Sequence, residues 1–258
     1  MSITEKFKEC CRFIKNKMLW VILIPALMDI ANLLIWERMF HKVYIPAEQI
    51  ISFKIGVTGT PPSINYLLQD FPSVLIKNDA NVFSGIFTRL NLYNISLLLS
   101  IILISSFLVS GYMGTISLNS LEKSGLRKFF IDGNKRWHKF FIMNLITTIS
   151  ICLILINRDY MFIYFAFVIF FYVPYSFVAD NVGVIQNFKL GISFLFNHLG
   201  ITVRMALVVG IIFSFLSFFA FIVVKIGTLG IIIDILIFSF LGAAVNRMVY
   251  EVYTDPQI

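Results

Sequence analysis

Six long apolar stretches account for most of the chain: 18–36, 92–117, 140–156, 161–179, 201–224 and 229–250. Each approaches the roughly 20 residues that an α-helix needs to cross a hydrocarbon core of about 30 Å, a length that belongs to membrane spans rather than to core helices or strands. NRDY at 157–160 separates the third stretch from the fourth, and KIGT at 225–228 the fifth from the sixth, so both pairs read as tight antiparallel hairpins. The first and second stretches are separated by 37–91, where extended-looking VYIPAEQIISFKIGV, the proline turn TGTPPS and the short helical piece INYLLQDF follow one another. Its apolar content is too high for a disordered linker, and a small cap over the outer ends of the spans is expected.

Three shorter segments have helical periodicity with two faces. In 180–200, Val182, Ile185, Phe188, Ile192, Leu195 and Leu199 recur at steps of three and four, while Gln186, Lys189, Ser193 and Asn197 form the opposite stripe. Leu126, Phe130, Gly133, Trp137 and Phe140 do the same before the third stretch, and Ile3, Phe7, Cys10 and Ile14 before the first. FKECCRFIKNKML at 7–19 matches FKLGISFLFNHLG at 188–200 at Phe7, Lys8, Phe13 and Asn16, and each segment feeds a hairpin. The predicted fold is all-α: a polytopic bundle of six transmembrane helices in three hairpins, each preceded by a cytoplasmic-side amphipathic helix. In the last copy Phe188, Ile192 and Leu195 face inward and Lys189 faces headgroups.

Composition sharpens this picture. The 258 residues are 59% hydrophobic and 14% charged, well below the quarter charged that soluble domains carry. Lys and Arg gather in 1–17 and in 123–139, which predicts that both segments and both termini are cytoplasmic and that 37–91 is outside. Trp20, Trp137, Tyr175 and Tyr250 are then expected at the inner interface, and Trp36, Tyr93 and Tyr160 at the outer one. The net charge of +7 reads as topology and contact with anionic membrane lipids, not as a nucleic-acid surface. The first stretch is expected to remain as a span, because it contains Asp29 and Asn32 and no small-residue cleavage site follows it.

The run YVPYSFVADNVGVIQNFKLGISFLFNHLG at 172–200, with Pro174, Asp180, Gly183 and the helix from Val184, resembles the signature region of a group of bacterial six-span membrane proteins. That group includes the DUF975 family and the membrane domain attached to some glycerophosphodiester phosphodiesterases. LEKSGLRKFFIDGNKRWHKFF at 121–141 is similar to the preceding cytoplasmic segment of the same group. The resemblance implies a bacterial plasma-membrane protein with six spans, and it implies no catalytic residues.

No H-E-x-x-H, C-x-x-C, G-x-S-x-G or P-loop motif is present. His41, His138 and His198 are dispersed, so neither a metal nor a cofactor is expected. Ser105, Ser106, Ser110, Gly111 and Gly114, and Gly242, Ala243 and Ala244, read as places where helices approach closely. Three intramembrane polar groups stand out: Asp29 and Asn32 on one face of the first span, and Asp234 in the last. At roughly 1.5 Å per residue their depths nearly coincide, so neighbouring first and last spans would place them in one polar pocket near the outer side, with Lys225 as counter-ion. The expected function is a non-enzymatic component of a transport or export system, or an envelope factor, working with a partner membrane protein or an ATPase. A self-sufficient transporter or channel is the alternative, and a lipid-acting enzyme ranks last.

Overall fold

A computed structural model describes residues 2–41, 44, 53–54, 56–68, 71–72, 77–79, 82–84, 92–118, 125–156 and 163–256. Nine α-helices lie among them: α1 (Ile3–Lys17), α2 (Leu23–Phe40), α3 (Leu92–Ile116), α4 (Leu126–Ile156), α5 (Ile163–Ile169), α6 (Val173–Ala179), α7 (Val184–Asn197), α8 (Leu199–Val224) and α9 (Thr228–Thr254). The described strands are β1 (Lys77–Asp79) and β2 (Val82–Ser84), paired antiparallel with Asn78 opposite Phe83. Among the described residues four helical segments are long and apolar enough to cross a membrane: Leu19–Arg38, Leu92–Ile116, Leu199–Val224 and Thr228–Thr254. This fits a membrane protein.

The last helix is the hub. α9 is buried nearly all round over Gly242–Val249 and packs against α1, α2, α3, α6 and α8. α1 is started by a reciprocal cap, in which Glu5 N donates to Ser2 Oγ and Ser2 N to the Glu5 carboxylate. Its Phe7, Cys10 and Ile14 are buried, and the Lys6 ammonium meets the Glu251 carboxylate of α9 at 2.7 Å. After Met18 a 3₁₀ turn, Leu19–Ile22, leads into α2, and Pro25 falls in the first turn of that helix, where a missing N–H leaves no bond unmade. α3 and α4 form the tightest pair. Gly111 lies against the Phe129 ring, Gly114 against Asp132, and Ser110 Oγ donates to the Asp132 carbonyl at 3.0 Å. The small residues of the second stretch thus serve close helix approach, as their pattern predicts.

Several expectations need correction. The basic segment before the third stretch is not a separate interfacial helix, because α4 runs unbroken through both. Its buried positions are Phe129, Asp132, Gly133, Lys139 and Phe140, while Leu126 and Phe130 are exposed. The inward face is shifted because Asp132 takes an interior place, paired with Arg136 at 3.3 Å. The fourth stretch is broken: α5 ends at Ile169, a turn occupies 170–172, and Pro174 stands in the first turn of α6. The turn at 157–160 lies outside the described residues. In α7 the fully buried residues are Asn187, Gly191 and Leu195, Phe188 and Ile192 are half-buried, and Ile185 is exposed. Trp36 and Tyr175 are core residues rather than members of an interfacial belt.

Candidate functional site

The expected cap is the largest departure. Lys54 and residues 56–68 do not sit on the ends of the helices but enter between them. Lys54 N donates to Ser214 Oγ of α8 at 2.8 Å, Gly59 O accepts from Asn246 Nδ2 of α9 at 3.2 Å, and Pro62 fills the space left by Gly242 of α9. Counted from Thr228 at about 1.5 Å per residue, Asn246 lies roughly 27 Å along α9, so the tip of the loop penetrates most of the bundle's depth. Residues 56–63 are non-helical because Pro61 and Pro62 remove successive donors and Gly56 adopts φ 118°, a conformation open to glycine.

Asp29 anchors the returning limb. Its carboxylate accepts from Ser63 Oγ and from Ile64 N, both at 2.7 Å, and so holds the first turn of the 3₁₀ helix Ile64–Tyr66. Tyr66 then packs edge-on against Phe213 and stacks on Phe238, with ring centroids 5.6 and 6.2 Å apart, and its hydroxyl donates to the Gly56 carbonyl on the descending limb. Below this, Asn246 is a four-way junction. Its Nδ2 donates to Gly59 O and to Tyr112 Oη of α3, and its Oδ1 accepts from Tyr175 Oη of α6 at 3.0 Å. The adjacent Arg247 donates to the Ile116 and Leu118 carbonyls at the end of α3, and to Glu251. The Ile116 carbonyl is an orphan of the helix end and the Leu118 carbonyl lies just beyond it, and a buried guanidinium satisfies both.

Beside the loop tip is a cavity of about 330 Å³. Thr58, Gly59 and Thr60 form one wall, α4 supplies Asn144 and Thr147, and the break between α5 and α6 supplies Phe170 and Phe171. Asn144 Nδ2 donates to Ser106 Oγ of α3 at 2.9 Å, which fixes that amide. Thr58 Oγ1 is buried with no hydrogen-bond partner among the described residues.

Of the polar groups singled out in the sequence, α2 and α9 do bring Asp29 and Asp234 onto neighbouring helices. Asp29 is committed to the loop, Asn32 is half-buried, and one Asp234 oxygen is buried without a partner among the described residues. Lys225 is exposed and lies over the Phe221 ring at 4.7 Å, so it is no counter-ion to either carboxylate. In α7 Lys189 is exposed, as the opposite stripe requires. Among the described residues no cluster of His, Cys, Asp or Glu suited to a metal occurs.

The loop, Asn246, Arg247, Tyr112 and Tyr175 were missed by sequence reasoning. One signal for them existed: SFLGAAVNRMVY places an amide and a guanidinium within the last apolar stretch, one residue beyond three small residues. Comparison with protein-family models, with curated proteins and with solved structures gives no match.

Proposed function

We propose that this chain is a non-enzymatic integral membrane protein of the bacterial plasma membrane, a component of a transport or export system or an envelope factor that works with a partner membrane protein or an ATPase. The observation that carries this reading is the loop at 56–63, non-helical backbone held in the middle of a helical bundle by Asp29 and Asn246. Such backbone is tolerated at membrane depth only where protein encloses it or where it lines a cavity, and this loop has both surroundings. Broken helices belong to the same class of device, and the α5–α6 break faces the loop tip across the cavity.

Six spans in three hairpins remain the preferred topology, with the C-terminal half of α4 and the α5–α6 pair as the third and fourth crossings beside the four long apolar helices. α1, the first half of α4, and α7 serve as the cytoplasmic-side amphipathic elements, a design in keeping with the DUF975 group. Exposed Lys8, Arg12 and Lys15 of α1 and Arg127 and Lys135 of α4 support cytoplasmic placement of that end, where α9 also finishes. Purification of the full chain from its native membranes in mild detergent is expected to retain a stoichiometric second protein. A single monodisperse chain with no companion contradicts the partner reading. It would favour a self-sufficient transporter, for which the buried carboxylates of Asp29 and Asp234 speak.

A further inference from the structure

The cavity beside the loop tip has a chemistry that selects its occupant. Among the described residues no Asp, Glu, Lys or Arg lines it, and its apolar part is mainly aromatic, from Phe167, Phe170, Phe171 and Phe188 beside Met143, Ile146 and Pro174. Thr58 is 1% exposed, and its Oγ1 has no hydrogen-bond partner among the described residues although the side chain borders open volume. A hydroxyl with neither water nor a partner among the described residues is costly, and a turn about χ1 that brings it to a ligand oxygen in the cavity removes that cost. The cavity is not sealed. Ile146, in its wall, belongs to an exposed apolar stripe of α4 that also contains Ile142, Ile149 and Leu153, which is the face a bilayer would cover.

We infer that this cavity binds a neutral amphiphile taken laterally from the bilayer. One hydrocarbon chain lies among Phe167, Phe170 and Phe171 and leaves past Ile146, and an uncharged hydroxyl or ester head meets Thr58 Oγ1. A charged headgroup is excluded because it would lose its hydration to a wall whose described residues offer no counter-charge. A volume of about 330 Å³ suits a head and part of one chain, at the lower end of the roughly 300–1,000 Å³ of small-molecule sites. The inference goes beyond the transport reading and stands without it, since binding is measured with no transport step.

The test uses the purified full chain in phosphatidylcholine nanodiscs doped with a monoacylglycerol that carries a photoactivatable diazirine in its chain. After irradiation, labels should concentrate on 143–147 and 167–171, and excess monooleoylglycerol should suppress them about fivefold or more while oleate should not. Thr58→Val, which keeps the shape and removes the hydroxyl, should lower labelling by a similar factor with a melting temperature no lower than the parent's, and Ile146→Trp should block it at the mouth. Labels spread evenly over the lipid-facing helices without competition would overturn the site. Labelling indifferent to Thr58→Val, or suppressed equally by oleate, would overturn the neutral-head assignment.

Discussion

Arg247 shows how much one side chain holds in this molecule. Its guanidinium reaches two carbonyls at the end of α3, the Glu251 carboxylate, and the Phe13 ring of α1 at 4.5 Å, while remaining almost wholly buried. Arg247→Met would strand all of these partners, and a loss of roughly 3 kcal/mol is expected, because breaking a buried charged network leaves uncompensated groups. Lys6→Met removes one ion pair at a Glu251 carboxylate that Arg247 still holds, and should cost about 1 kcal/mol. Unfolding titrations in detergent check that ranking. Two thiols beside this network carry a pH signature. Burial pushes the Cys11 thiol up to about 11, and burial together with the neighbouring Glu251 carboxylate pushes Cys10 further still. Because the thiolate is the reacting form, both should react with N-ethylmaleimide at pH 8 on the order of tenfold or more slowly than free glutathione. The rate should climb as pH rises toward 11, and rates equal to glutathione at pH 8 would show that α1 does not pack on α9.

At the scale of elements, α6 and α7 cross so closely that a Cβ on Gly191 would meet the Val173 backbone nitrogen at 2.8 Å. Gly191→Val should therefore force the two helices apart and sharply reduce folded yield. Gly200→Ala, in α8 with open space around it, should be neutral or slightly stabilising, and size-exclusion profiles of the two variants separate these outcomes. The four long apolar helices were legible from apolar length, α7 from its two-faced periodicity, and the reversal between α8 and α9 from KIGT, where Gly227 at φ 91° makes the turn, whereas the separate α6 was not. Helix faces were less legible. A periodicity argument assigns apolar residues inward, yet the bundle buries Asp132 and Asn187 and exposes Phe130 and Ile185. Polar residues on these helices find partners inside, and apolar ones are at no disadvantage facing lipid.

For the molecule as a whole, the decisive feature is the loop that enters the bundle. Its apolar residues suit a cap and an inserted loop equally well, so composition had no means of distinguishing the two. The distinction rests on long-range partners: Asp29 lies 34 residues from Ser63, and Asn246 lies 187 from Gly59. Asp29 itself was legible as a group in need of a partner, although the partner is the loop and not Asp234. The central claim is tested most directly by a disulfide between Asp29→Cys and Ser63→Cys, placed in a chain whose Cys10, Cys11 and Cys152 are replaced by Ser. Because the Asp29 carboxylate and the Ser63 hydroxyl meet at 2.7 Å, mild oxidation of intact membranes should cross-link most of the protein, and Pro62→Cys alone, at a buried position, should resist a membrane-impermeant maleimide. Absence of the cross-link, together with rapid maleimide labelling of position 62 from outside the cell, would contradict the account and restore the loop to a surface cap.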